Sequence, residues 1–201
     1  MRVKTDARRQ AILDIATELF REVGYERASM AMIAARVGGS KATLYNYFKS
    51  KEDLFVAVMM EAMEEQGQEV MDLLDATQPD VEQLLRRFGE AYLQLVTAFN
   101  AMAITRTAVA AGHVGGMGAA LYARGPRRGW GEVASYLGRL QERGMIRPGD
   151  PHVAAAHLKG MLEGGIVEPL LFGAEPEFES GPAVAAAVAA FLRAYGVGKG
   201  D

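Results

Sequence analysis

The segment between residues 29 and 51 concentrates side chains that can hydrogen-bond to phosphates and to the edges of bases. The candidates comprise two lysines, four hydroxyl side chains, an amide and a methyl group. They are Ser29, Lys41, Ala42, Thr43, Tyr45, Asn46, Tyr47 and Lys51. Lysine donates to guanine O6 and N7, asparagine pairs with a base edge, and an alanine methyl can contact a thymine methyl. Hydroxyl groups bind phosphate oxygens and so set the register of a protein on a duplex. The chemistry predicted for this segment is therefore contact with double-stranded DNA.

Two short helices joined by a glycine turn must position these side chains. Serine N-caps precede helices predicted at about 30–37 and 41–48, and two consecutive glycines separate the helices. On the second helix Leu44 and Phe48 share one face, which leaves Asn46 pointing outward. This pattern is typical of a helix-turn-helix. The alternative from the same residues is a compact helical corner whose tyrosines are half-buried packing and whose lysines are solvated.

The distribution of charge separates the chain into two parts. The 201 residues carry a net charge of −3, which by itself does not favour binding to nucleic acid. Residues 1–52 nevertheless contain ten Lys and Arg against six Asp and Glu, a net charge of +4, and residues 53–201 carry −7. We therefore predict a DNA-binding domain over residues 1–52 and an acidic second domain over residues 53–201.

The pattern of apolar residues and prolines predicts an all-α fold. The first 78 residues contain no proline, and their apolar residues recur at the helical period. Further helices are predicted at about 80–98, 100–111, 117–142 with an interruption at Gly125-Pro126, 151–172 and 182–196. The longest uncharged stretches are shorter than a membrane span, and the chain has no cysteine. We expect a cytoplasmic protein without a membrane segment, a disulfide or a thiolate metal site.

Two strings of residues carry a resemblance to a known family. The string Gly-x-Ser-Lys-x-Thr-Leu-Tyr-x-Tyr-Phe-x-x-Lys-x-x-Leu, from Gly38 to Leu54, closely resembles the recognition-helix signature of the TetR family of bacterial transcriptional regulators. The segment from Ala11 to Tyr25 is similar to the first helix of that family. The resemblance implies a nine-helix fold, a homodimer and ligand-controlled binding to DNA. Later segments, at 125–127, 140–146 and 150–156, resemble the AefR-like subset of C-terminal domains.

The resemblance also assigns roles to single residues. It implies phosphate and base contacts for Ser29, Lys41, Thr43, Tyr45, Tyr47 and Lys51. It places Ala42 and Asn46 where the family varies to select its operator. The chain departs from the family pattern at Gly39, where an aliphatic residue usually packs the turn, and this departure puts the rigidity of the turn in question.

The second domain is predicted to bind a partner subunit and a ligand. The helices at about 151–172 and 182–196 are apolar around much of their circumference, which predicts a homodimer through a four-helix bundle. The alternative is that their apolar residues are the ordinary core of one protomer. A set of aromatic, methionine and isolated polar side chains could line an apolar pocket or could equally be core. The set is Phe88, Tyr92, Met102, Arg106, His113, Met117, Tyr122 and Trp130. A fourth helix is predicted at 51–76. We expect a small, largely apolar effector to bind in the second domain, to tilt this helix and so to release the repressor from a palindromic operator.

Two other classes of function compete with this prediction. One is a helix-turn-helix regulator whose second domain only dimerises or recruits a protein partner. The other is an all-α enzyme, which the sequence disfavours because HExxH is absent and the glycines around 112–118 follow no strand. His152 and His157 are five residues apart and diverge on a helix, so we expect no catalytic site, metal or cofactor.

Overall fold

The computed structural model describes residues 2–110 and 117–197, and within them the all-α fold class is confirmed. The eleven helices of the described residues are α1 Arg2–Arg27, α2 Met30–Val37, α3 Lys41–Tyr47, α4 Lys51–Met71, α5 Val81–Thr97, α6 Phe99–Ala110, α7 Met117–Arg124, α8 Pro126–Glu142, α9 Pro151–Glu163, α10 Val167–Leu171 and α11 Ser180–Tyr195. The only β pairing in these residues is an isolated bridge between Ile146 and Gly196. The number of helices is close to the nine that the resemblance implies.

Glycines and prolines divide the helices where local backbone preferences require it. Gly24 interrupts α1 with φ 79°. Gly125 and Pro126 separate α7 from α8, as predicted. The helix predicted at 151–172 is instead two helices, because Gly165 takes up φ 71° between α9 and α10. A positive φ breaks the regular α-helical conformation, at Gly165 between α9 and α10 as at the kink of α1 at Gly24.

The described chain forms two compact units, Met1–Met63 and Glu64–Asp201, and the division falls within α4. In the first unit α1, α2, α3 and the start of α4 share one core, which includes Leu19, Ile33, Leu44 and Leu54. The fourth helix therefore completes the core of the helix-turn-helix. The predicted division of function at residue 52 stays a prediction.

The second unit has its own core, built mainly by α5, α8, α9 and α11. Its largest fully buried side chains include Phe88, Tyr136 and Phe191. A Cβ atom on Gly89 would lie 2.8 Å from both Leu162 Cδ2 and Val184 Cγ1, so glycine lets α5 pack directly on α9 and α11. None of the described helices has the length and hydropathy needed to cross a membrane.

Candidate functional site

The turn between α2 and α3 is fixed by caps at each helix end. Ser29 precedes α2, and its Oγ accepts a hydrogen bond from the Met32 amide at 3.3 Å. Gly38 closes α2 in the left-handed region, with φ 68° and ψ 37°. Ser40 caps α3, since its Oγ accepts from the Thr43 amide at 3.1 Å. Serine N-caps and a left-handed glycine are local preferences of these residue types, so the sequence explains this turn.

Helix α3 has a buried side and an exposed side. Leu44 and the following Phe48 are buried with Ile33 of α2 in the core of the first unit. The exposed side chains of the helix are Lys41, Ala42, Tyr45 and Asn46. Four of the eight predicted DNA contacts therefore lie together on the solvent-facing surface of one helix.

The other four predicted contacts are half-buried. The Ser29 hydroxyl accepts as an N-cap and keeps its own proton for another acceptor. The Thr43 hydroxyl lies 3.0 Å from the Ser40 hydroxyl, and Tyr47 packs against the core of the first unit. Each of these three side chains therefore contributes to local structure. Their phosphate contacts stay predictions.

Lys51 is bound within the first unit. Its Nζ donates to the carbonyl oxygens of Tyr25 at 3.0 Å and Ala28 at 3.3 Å. The same ammonium lies 4.1 Å from the centroid of the Tyr25 ring. Lys51 therefore ties the start of α4 to the end of α1 through two hydrogen bonds and a cation–π contact. A phosphate contact by this side chain would have to use its remaining N–H donor.

Several arginines of the first unit are also engaged within it. Arg36 forms an ion pair with Glu22 at 2.5 Å, and this hydrogen bond lowers the pKa of the Glu22 carboxyl. Arg9 lies over the Phe48 ring at 5.2 Å from its centroid. Arg8 donates from Nη2 to the carbonyl oxygen of Val37 at 3.2 Å. No local pattern indicates this last contact, because 29 residues separate its partners.

In the second unit, three of the predicted pocket residues form one aromatic cluster. The ring centroid of Tyr92 lies 5.9 Å from that of Phe88 and 5.1 Å from that of Trp130. Trp130 Nε1 donates to the Tyr92 hydroxyl at 3.2 Å, and that hydroxyl donates to Glu163, which also pairs with Lys159. Burial, and then the charge of Glu163, raises the pKa of Tyr92, so the phenol keeps its proton.

The remaining predicted pocket residues do not all join this cluster. Met102 is buried on α6, whereas Arg106 is exposed and donates to the carbonyl oxygens of Leu170 at 2.5 Å and Leu171 at 3.1 Å. Tyr122 is 60% exposed on α7. Of the last two residues predicted for the pocket, His113 lies outside the described residues, and so does the side chain of Met117.

Most of the apolar surface of α9 and α11 is buried within the second unit itself. Leu158 and Leu162 of α9 and Val188 and Phe191 of α11 are core residues. An open groove of about 580 Å³ remains beside them, lined mostly by apolar side chains, among them Met161, Phe178, Pro182 and Ala186. The surface left for a partner on these helices is therefore smaller than the sequence pattern predicted.

Two family models match the chain. A model described as the C-terminal domain of AefR-like transcriptional repressors matches residues 83–197. A model of bacterial regulatory proteins of the tetR family matches residues 12–58. Each range lies within one of the two compact units, and both matches are to transcriptional regulators.

Individual proteins that are similar in sequence to this chain are also transcriptional regulators. The HTH-type transcriptional activator FasR of Mycolicibacterium smegmatis is 37% identical over 95 residues, 47% of this chain and 43% of that protein. The chain spans less than half the length of the curated relatives that it matches.

Among solved structures, a TetR-family transcriptional regulator of Mesorhizobium loti has a TM-score of 0.76 at 28% identity, covering 96% of this chain and 98% of that one. The flavonoid-responsive regulator FrrA has a TM-score of 0.66 at 25% identity, covering 95% and 98%.

The contacts of Lys51 predict that its ammonium stabilises the first unit. Lys51→Met keeps an apolar stem but leaves the carbonyls of Tyr25 and Ala28 without this charged donor, which should cost about 1–3 kcal/mol. Lys49→Met is the matched control, since Lys49 is exposed and has no hydrogen bond or ion pair among the described residues. The measurement is the free energy of unfolding of both variants in urea. Equal stability of the two variants would contradict this role.

Proposed function

Because the chain belongs to the TetR family of bacterial regulatory proteins, we propose that it is a dimeric repressor that binds a palindromic operator and is released by a small effector. The observation that carries this proposal is the exposed surface of α3. Its chemistry suits a major groove, while its other side is anchored in the core.

In the proposed complex, the exposed residues of α3 select the operator. Lys41 donates to guanine, and Ala42 and Asn46 contact the edges of neighbouring bases. Tyr45 donates from its hydroxyl to the phosphate backbone, together with Ser29, Thr43, Tyr47 and the free N–H of Lys51. These last four side chains lie in or beside the caps of α2, α3 and α4.

We propose that two protomers meet through α9 and α11. The groove beside Met161 and Ala186 is mostly apolar, and Val153, on the same helix as Met161, is exposed as well. A twofold axis would bring the same surface from each protomer together. The two copies of α3 would then read half-sites about 34–36 Å apart, which is one turn of DNA, or a multiple of that distance.

Release would follow from a displacement of α4. The start of this helix, with Leu54 and Val58, is buried in the core of the first unit, and its end, with Val70, is buried in the core of the second. An effector would bind beside Phe88 and Trp130 and stabilise another position of α4. This displacement would change the distance between the two copies of α3. FrrA is responsive to flavonoids by its name, and a flavonoid is a candidate effector for this chain.

One observation favours a second candidate function. Phe88 is 0% exposed and Met102 is also buried, so these predicted pocket residues are packed as core residues. In that alternative the second unit only dimerises or recruits a protein partner, and no small molecule controls DNA binding. In both cases we expect the protein to act in the cytoplasm, where bacterial DNA lies.

Lys41 is expected to select a base. Lys41→Ala should reduce the affinity for the cognate operator by about 1–3 kcal/mol and relax the preference at one base pair. Arg87→Ala, which removes an exposed cation of α5, outside the proposed dimer helices, is the control and should leave the preference unchanged. The measurement is fluorescence anisotropy on the region upstream of the protein's own gene, with single base-pair changes. An unchanged preference in Lys41→Ala would remove Lys41 from the base contacts.

The proposed dimer predicts that charge in the groove dissociates the protomers. Met161→Glu should yield monomers in analytical ultracentrifugation, because it places a carboxylate on an apolar twofold contact. Val109→Glu is the control, since Val109 is 70% exposed on α6 of the same unit. Operator affinity should fall only in Met161→Glu, which loses the second half-site. A dimeric Met161→Glu variant would place the interface elsewhere.

The proposed effector site predicts that an apolar compound weakens operator binding. Naringenin, a flavonoid, and a library of apolar compounds should include a ligand that lowers operator affinity at least about fivefold, the lower end of allosteric coupling. Binding should also change the fluorescence of Trp130, the single tryptophan of the chain. Tyr92→Phe tests the site, because it removes the hydroxyl between Trp130 and Glu163. If no compound shifts either the thermal stability or the operator affinity, the protein-partner alternative replaces the effector.

A further inference from the structure

Arg8 and Gly39 meet at the turn between α2 and α3. Arg8 lies in the first part of α1, and its Nη2 donates to the carbonyl oxygen of Val37 at 3.2 Å. A Cβ atom built on Gly39 would lie 3.1 Å from the same Nη2 atom. A side chain at residue 39 would therefore begin in close contact with the guanidinium of Arg8.

The backbone of Gly39 does not require glycine. Of the two neighbouring glycines, Gly38 has φ 68°, whereas Gly39 is not among the residues with a positive φ. The φ of Gly39 therefore does not exclude an L-residue. The constraint that we identify on this position, where the family pattern has an aliphatic residue, is the close approach of Arg8.

The end of α2 favours a cation at this place. The carbonyl groups of the last helical turn carry partial negative charge and lack intrahelical partners. Ala34 O accepts from the Gly39 amide, and Ala35 O accepts from the Gly38 amide. Arg8 supplies the donor for Val37 O, the carbonyl at the last residue of α2. Its contact thus completes the cap that ends α2.

The same turn leads directly into α3. Ser40, which caps α3, follows Gly39, and the Cβ position of Gly39 lies 4.0 Å from Thr43 Cβ. We propose that Arg8 is a positioning residue for the DNA-reading helix: its guanidinium replaces a side chain at residue 39 and sets the direction in which α3 leaves the turn. This inference rests on the proposed function only in assigning α3 to the operator.

A cycle of two substitutions tests the replacement. Arg8→Ala leaves the turn without its packing partner, and Gly39→Val displaces the guanidinium from Val37, so each single variant should bind the operator about tenfold more weakly. In the double variant the valine occupies the space that the guanidinium leaves, and affinity should return to within about threefold of the wild type. Independent sites would instead give additive losses, and that result would overturn the proposal.

The dependence of binding on salt separates positioning from direct contact with DNA. A lost lysine or arginine contact to phosphate lowers the slope of log affinity against log salt by about 0.9. We expect the slope of Arg8→Ala to equal that of the wild type. A lower slope together with a double variant that stays weak would make Arg8 a phosphate contact and overturn the proposal.

Hydrogen exchange without DNA makes the test independent of the operator. The amides of residues 41–48 should exchange faster in Arg8→Ala than in the wild type, and protection should return in the double variant. If the wild type bound no operator, the proposed function would fail while this readout still tested the position of α3. Equal exchange in all variants would overturn the proposal. Arg8→Gln, which keeps one donor and should show a smaller effect, serves in place of Arg8→Ala if the latter fails to fold.

Discussion

Burial of Leu44 and Phe48 beside Ile33 is the constraint on which the exposed surface of α3 depends. A helix of seven residues is too short to be stable by its own hydrogen bonds, so α3 exists because its apolar side is held in a core. Once that side is inside, the helical period leaves Lys41 and Tyr45 exposed. Ser29 caps α2 and Ser40 caps α3, and the surface proposed to contact DNA follows from the packing beneath it.

The basic residues of the first unit serve its folding as well as its charge. Lys51 and Arg8 donate to backbone carbonyls, and Arg9 lies over an aromatic ring. None of these contacts neutralises the cation, so the unit keeps a positive field that attracts a polyanion over a distance. Only an ion pair such as that between Arg36 and Glu22 removes charge from this field. The net charge of +4 over residues 1–52 and the number of basic side chains left for a contact with DNA are therefore separate quantities.

The second unit is a case where composition and burial lead to different expectations. Aromatic and methionine side chains near α5 and α8 suit either a pocket or a core, and the structure packs Phe88 and Met102 as core. It also adds a polar chain from Trp130 through Tyr92 to Glu163 and Lys159, which joins α8, α5 and α9. This chain satisfies the one buried hydroxyl of the aromatic cluster, since an unpaired buried hydroxyl would be costly.

The sequence by itself determined most of the helices, the caps of α2 and α3, and the inner and outer sides of α3, but not the break at Gly165 between α9 and α10. These features depend on neighbours within about four residues, through helical periodicity, serine N-caps and glycines such as Gly24 and Gly38. Only the tertiary structure decided the partners of Lys51 and Arg8, because 23 to 29 residues separate the contacting groups and long flexible side chains have many possible acceptors. It also decided which apolar residues of α9 and α11 are core, since a helical pattern marks an apolar side without saying whether the same chain or another covers it.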